Sequence, residues 1–165
     1  MSPVLHRPWE TSCANWWRSL MRAATVREDG EQLHAWRNSP SVRAVSVSGA
    51  EIPFGDHMAW LAGKLVADDT RLYVAEIGST AVGSIRFDRL DSELLEVSLY
   101  LDPDLAGMGL GPHLLLAGER EVVSEWSGCR AFVATVLSNN PGSAKLFIKS
   151  GYSGGPLRYK KPITN

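Results

Sequence analysis

Leu94-Leu95-Glu96-Val97-Ser98-Leu99-Tyr100-Leu101-Asp102-Pro103-Asp104-Leu105-Ala106-Gly107-Met108-Gly109-Leu110-Gly111 reads as an alternating strand that passes through three alternate glycines into the start of a helix. Alternation puts Glu96, Ser98 and Tyr100 on one face of the strand and Val97, Leu99 and Leu101 on the other. Glycine lets the backbone turn tightly and approach a ligand with no Cβ in the way. A helix start offers N–H groups without intrahelical partners and the positive end of the peptide dipole. The stretch is built as an anion trap, and a diphosphate is its natural occupant. Its spacing, Gly107-x-Gly109-x-Gly111, is neither the GxGxxG of dinucleotide folds nor a phosphate loop ending in GK[ST], so a ligand-free glycine turn stays open as the alternative.

Working outward, Leu72 to Ile77, Ala81 to Asp88 and Leu94 to Leu101 are strand-like runs separated by Gly78-Ser79-Thr80 and Asp91-Ser92-Glu93, the pattern of an antiparallel meander. Ahead of them, residues 21–27 read as a short strand. Glu28 to Asn38 reads as a helix with Leu33 and Trp36 inward, ended by Ser39-Pro40. Gly55 to Val66 reads as a second helix with Met58, Leu61, Leu65 and Val66 on one face. Beyond the glycines a helix runs to about Trp126, with Leu115, Gly118, Val122 and Trp126 on one stripe. A strand from Ala131 to Leu137, a helix from Ser143 to Lys149 stopped by Gly151, and a strand or hairpin over 152–160 complete the chain. The order β-α-α-β-β-β-α-β-α-β is that of an α+β domain of mixed α/β layers over residues 21–165. Residues 1–20 form an extension holding Trp9, Trp16 and Trp17, read as a strap on the core, a dimer contact or a wall of the site.

Composition narrows the function. The chain has 165 residues, 44% of them hydrophobic, and 17 Lys+Arg against 18 Asp+Glu for a net charge of -1, spread evenly along its length. That is one globular domain with no basic footprint for nucleic acid or an anionic membrane. No apolar run approaches the ~20 residues a membrane span needs. Arg7, Glu10 and Arg18 interrupt the first twenty residues where a secretory segment would be apolar. Cys13 and Cys129 form no CxxC and no zinc-spaced cluster, so neither a disulfide framework nor a metal is expected. A cytoplasmic monomer or homodimer is the expectation.

The glycine stretch, together with Asn140-Pro141-Gly142-Ser143-Ala144-Lys145-Leu146-Phe147-Ile148-Lys149-Ser150-Gly151-Tyr152, resembles the GNAT N-acetyltransferase superfamily over about residues 21–155. The family's signature Gln/Arg-x-x-Gly-x-Gly/Ala falls on Ala106, Gly109 and Gly111. Its downstream pattern falls on Asn140, Ser143, Phe147, Gly151 and Tyr152. The resemblance implies a central mixed, mostly antiparallel sheet flanked by helices, with parted central strands forming an acetyl-CoA cleft. It implies acetyl transfer from acetyl-CoA, a co-substrate, directly to a primary amine with no metal and no covalent enzyme intermediate. The backbone of Ala106, Gly107, Met108, Gly109, Leu110 and Gly111 would hold the CoA diphosphate. The pantetheine arm would lie along the strand beside Leu99 and Leu101, meeting Asn140, with Ser143 and Phe147 in the same wall. Two departures stand out. Ala106 replaces the usual Gln or Arg, and Phe147 replaces the Tyr that protonates the leaving thiolate in many members, leaving Tyr152, Ser143, water or no acid at all. An alkylammonium is mostly protonated at pH 7, so attack needs a base, and Glu96 is the main candidate.

On the acceptor side, Trp36-Arg37-Asn38-x-Pro40-x-Val42-Arg43 and His57-x-x-Trp60 resemble the branch that acetylates nucleotide-linked amino sugars in nonulosonate biosynthesis, with parts shared by ribosomal-protein N-terminal acetyltransferases. Arg37 and Arg43 are suited to a nucleotide diphosphate, Trp60 to stacking on a base or sugar, and His57 to a base or substrate contact, with Asn38 in the same motif. Lys145, Lys149, Lys160 and Lys161 are candidates for the adenosine 3'-phosphate of CoA. An acetyltransferase of proteins or other small amines, or a non-catalytic acyl-CoA sensor, are the rival readings.

Overall fold

Leu72-Tyr73-Val74-Ala75 and Val82-Gly83-Ser84-Ile85 are buried on both faces of their strands, which places them in the middle of a sheet with helices on either side. The computed structural model describes residues 21–164. The strands are β1 (Met21–Ala23), β2 (Thr70–Ile77), β3 (Thr80–Arg89), β4 (Leu94–Leu101), β5 (Ala131–Ala134), β6 (Ser153–Gly155) and β7 (Arg158–Pro162), ordered β1-β2-β3-β4-β5-β7-β6 in one sheet. Every pairing is antiparallel except β4 with β5. The helices are α1 (Val26–Asn38), α2 (Pro40–Ala44), α3 (Phe54–Val66), α4 (Gly111–Glu125) and α5 (Pro141–Lys149).

On one face Leu33 and Trp36 of α1 and Leu61 of α3 pack on Leu72, Val74 and Tyr100. On the other, Leu114, Leu115 and Val122 of α4 and Phe147 of α5 pack on Ile85, Phe87, Leu95 and Val97. The alternation read along β4 holds. The β3–β4 register runs from Gly83 opposite Leu101 to Arg89 opposite Leu95 without a shift, and the sheet's bulge falls in β2 at Ala75/Glu76. Gly118 lets α4 settle on β3, since a Cβ there would sit 2.8 Å from the Ile85 side chain.

Several boundaries differ from the sequence expectation for local reasons. β1 stops at Ala23 because Thr25 caps α1, its Oγ1 accepting the Glu28 N–H at 3.1 Å. Pro40 does not only end α1; it occupies the first turn of α2, where its missing N–H costs nothing. Val66 lies outside, 82% exposed, and His57 takes the buried place on α3. β5 ends at Ala134, not Leu137: Thr135 turns to donate to Glu96, and the Val136 carbonyl accepts the Leu157 N–H at 2.9 Å. Leu157 makes that bond from a left-handed backbone, φ 79°, unusual for a branched side chain. The last element is the β6–β7 hairpin. Trp9, Cys13, Trp16 and Trp17 of the extension lie outside the described residues.

Between β4 and β5 only three rows pair: Leu94 with Ala131, Leu95 with Phe132 and Glu96 with Val133. β4 continues through Leu101, and among the described residues no strand lies along its freed edge. The central strands are parted, as expected, with Glu96 at the apex.

Candidate active site

The cradle at the end of β4 begins with Asp102, whose Oδ1 accepts the Asp104 N–H at 2.9 Å and starts the 3-10 turn Pro103–Leu105. Gly107 and Gly109 both sit at left-handed φ, 80° and 79°, with nothing within 4 Å of where a Cβ would be. Conformation rather than crowding demands glycine there. Gly111 differs: its would-be Cβ meets Leu146 of α5 at 3.4 Å, so it serves helix packing. The expectation that all six amides face a ligand is corrected in part. The Ala106 N–H bonds the Pro103 carbonyl and the Met108 N–H the Leu105 carbonyl, both at 3.3 Å, so these two hold the turn together. The N–H groups of Gly107, Gly109, Leu110 and Gly111 make no hydrogen bond to any described residue. These four donors, running from the exposed Gly107 and Gly109 through Leu110 to Gly111, the buried first residue of the fifteen-residue α4, can take a diphosphate by the mechanism expected from sequence.

Leu99 and Leu101 are half-buried, their side chains against the α4 side of the core. Asn140 caps α5, its Oδ1 accepting the Ser143 N–H at 3.0 Å, while its Nδ2 makes no hydrogen bond to a described residue. Phe147 is buried, packed on Tyr152 and Tyr159. Tyr152, expected as a proton donor, is 3% exposed and already donates to Glu119 Oε1 at 2.7 Å; Glu119 Oε2 takes Lys161 Nζ at 2.7 Å. Burial and then the Glu119 charge push this phenol far above its ordinary range, the wrong direction for an acid. Lys161, one of the lysines considered for the 3'-phosphate, is held by the same carboxylate.

Glu96 is half-buried at the apex, its Oε1 accepting from Thr135 Oγ1 at 2.8 Å. Across β3 it faces Asp88, whose carboxylate binds Lys64 Nζ and Arg86 Nε at 2.6 Å each and Thr70 Oγ1 at 2.9 Å. Burial works to raise the Asp88 carboxyl, and Lys64, Arg86 and Thr70 outweigh it, holding it below the usual range. Tyr100, further along the same face, is raised by burial; the Ser84 hydroxyl, Arg86 and Arg37 oppose.

The acceptor-side residues separate into spent and unspent. Asn38 is spent: its Oδ1 accepts the Ile52 N–H at 2.9 Å and its Nδ2 donates to the Ile52 carbonyl at 2.8 Å, pinning the chain that leads into α3. Arg43 is engaged with the Gly49 carbonyl at 3.0 Å and Glu51 at 3.8 Å. Arg37 gives Nη2 to the Ser48 carbonyl at 2.9 Å, but its Nη1 is buried without a partner among the described residues. His57 Nε2 is in the same condition, with the residue 2% exposed. Burial, then the charges of His34 and Arg37, lower His57 below its ordinary value, while the Gly30 carbonyl opposes. Trp60 is part-exposed, its ring 5.6 Å from His57, with the Arg86 guanidinium 5.3 Å from its centroid. Sequence reasoning missed Arg86, Asp88, Lys64 and Thr135. The one available signal was Arg86-x-Asp88, two opposite charges at the spacing that puts them on one face of a strand.

Among the described residues no group of three His, Cys, Asp or Glu side chains is placed to hold a metal ion, and no helix is long and apolar enough to cross a membrane.

Comparison with known proteins brings these features together. The model of the acetyltransferase (GNAT) family matches residues 22–152. A protein of Bacillus subtilis (strain 168), YwnH, provisionally named a phosphinothricin acetyltransferase, is 27% identical over 139 residues, covering 81% of this chain and 83% of its own. The spermidine N-acetyltransferase of Vibrio cholerae, solved with CoA and spermine, superposes with a TM-score of 0.73 at 15% identity over 86% of this chain and 91% of that one. AAC(6')-Ib, solved with paromomycin and acetyl-CoA, gives 0.73 at 16% identity over 87% and 92%. The last two show likeness of fold. The chain belongs to the acetyltransferase (GNAT) family and is an N-acetyltransferase that uses acetyl-CoA as co-substrate.

Proposed function

We propose that the chain acetylates a small primary amine by direct attack on acetyl-CoA, with a nucleotide-linked amino sugar as the leading acceptor. The diphosphate of the co-substrate lies on the free amides of Gly107, Gly109, Leu110 and Gly111, and its arm runs along the freed edge of β4 within reach of Asn140 Nδ2. The thioester supplies the acyl group and a good leaving thiolate. Glu96, held by Thr135 at the apex, draws the proton from the ammonium, directly or through water, so that the neutral nitrogen attacks the thioester carbon. The C–N bond forms as the C–S bond breaks, and the thiolate takes its proton from water, Tyr152 being committed to Glu119.

The observation that carries this reading is the coincidence of the parted strands, the apex carboxylate and the four free amides along one strand. The buried unpartnered Arg37 Nη1 and His57 Nε2 support an acceptor bearing both an anionic and a hydroxyl-type group, as a nucleotide-linked sugar does. A second reading, an amino-acid acceptor of the kind named for the Bacillus relative, is favoured by the engagement of Asn38 and Arg43, which leaves fewer groups for a carrier diphosphate. Thiol release from acetyl-CoA tests both. Turnover on a UDP-linked 4-amino sugar and not on phosphinothricin supports the first, and the reverse supports the second. Tight acetyl-CoA binding with no turnover on any amine would leave only the sensor.

A further inference from the structure

Arg86 is a charged group on the acceptor face that the proposed transfer does not use, and it has donors to spare. Asp88 Oδ2 fixes its Nε at 2.6 Å, and Trp60 lies beneath the guanidinium at 5.3 Å. Its two Nη groups make no hydrogen bond to any described residue. Lys64 and Thr70 share the Asp88 carboxylate, so Asp88 does not cancel the charge of Arg86 on its own. Such a guanidinium is preorganised: one edge anchored on Asp88, the charge over an aromatic ring, the outer fork open for a bidentate anion.

Its place on the sheet gives it a second half. Arg86 lies opposite Ser98 on β4, flanked on the same face by Tyr100 towards the splayed end and by Glu96 towards the apex. Tyr100 Oη donates to the Leu33 carbonyl of α1 at 3.5 Å, and Arg37 follows Leu33 by one turn on the same side of that helix, its Nη1 unpartnered among the described residues. Tyr100 therefore stands between a strand position that carries Arg86 and a helix turn that carries Arg37. Cross-strand diagonals put the Arg86 position about 7–8 Å from that of Glu96.

We propose that Arg86 and Arg37 form a two-arginine seat for an anionic group of the acceptor, a phosphoryl, phosphinoyl or carboxylate group a few bonds from its amine. The assignment rests on the acetyl-transfer reading for the identity of its occupant. It selects acidic amines and turns away polycations, whose ammonium groups would meet Arg86 and Lys64.

The test loads the full chain with CoA, so that the cradle is filled, and measures binding of inorganic phosphate and of UDP by calorimetry. The wild type takes up one anion per chain, and Arg86→Gln and Arg37→Gln each weaken it at least tenfold with CoA affinity unchanged. Arg86→Lys, keeping the charge without the fork, recovers part of the loss and covers the case in which Arg86→Gln folds poorly. Stronger binding of UDP than of phosphate assigns the seat to a nucleotide carrier; equal binding assigns it to a small acid. In rate measurements Arg86→Gln raises KM for O-phosphoethanolamine about tenfold relative to ethanolamine, with kcat little changed. No saturable anion binding to the CoA-loaded wild type overturns the seat, as does an equal loss on both amines or a preference of the wild type for spermidine. Anion binding without turnover on any amine sinks the transfer reading and leaves the seat standing.

Discussion

The two faces of the sheet treat their polar groups differently. Beneath α4 and α5 the buried chemistry is closed on itself: Tyr152, Glu119 and Lys161 consume one another's donors and acceptors. Beneath α1 and α3, Arg37 Nη1, His57 Nε2 and the outer nitrogens of Arg86 are held in place and left without partners among the described residues. Burial and a displaced pKa occur on both faces, so neither marks a reactive group. The donor whose capacity is unused does.

The largest effect should come from the apex. Glu96→Gln is expected to slow acetyl transfer at pH 7 by about 10²–10³-fold while CoA affinity holds, measured as thiol release; an unchanged rate would move the base elsewhere. On the closed face, Glu119→Leu strands the Lys161 ammonium and the Tyr152 hydroxyl, with an expected loss of about 2–3 kcal/mol in urea unfolding. Gly109→Val forces a β-branched residue into left-handed backbone at φ 79°. It should weaken CoA about tenfold by swinging the cradle amides, and equal affinity in a folded variant would remove the diphosphate from that loop.

Smaller effects sharpen the contrast. Tyr152→Phe should cost about 1 kcal/mol of stability and leave the transfer rate alone; a drop in kcat would show that the closed face takes part in chemistry. His57 is lowered in the folded chain from its usual 6.5. As pH falls below 6.5 the unfolded chain takes up a proton that the folded chain still refuses, so stability declines through that window until the folded value is passed. His57→Gln should flatten that decline, read from denaturation midpoints between pH 7 and pH 5. A saturating acidic acceptor that touched Nε2 would do the same in the wild type.

The residues that declare themselves locally were legible. β4 begins and ends at Leu94 and Leu101 as its alternation says, because the polar turn before it and Asp102-Pro103 after it are chemical stops. Left-handed glycines make the cradle readable for the same reason. What escaped depends on partners far along the chain. Tyr152 looks like an acid until Glu119 arrives from α4, and Asn38 looks like a ligand residue until Ile52 closes on it. β5 reads three residues too long because the pull of Leu157 on Val136 leaves no trace in the Val-rich run itself. Arg86 and Asp88 passed as ordinary strand residues because Lys64, Thr70 and Trp60, which give them their roles, lie far off in the sequence.

The three rows that join β4 to β5 are the whole of the direct strand pairing between residues 21–101 and 131–162, which otherwise share the core beneath α4 and α5. Past Glu96 the backbone of β4 gives its outward N–H and C=O groups no strand partner among the described residues, so a molecule lodged in the opening would cover them. Amide exchange along Val97 to Leu101 therefore serves as a gauge of whether the opening is filled.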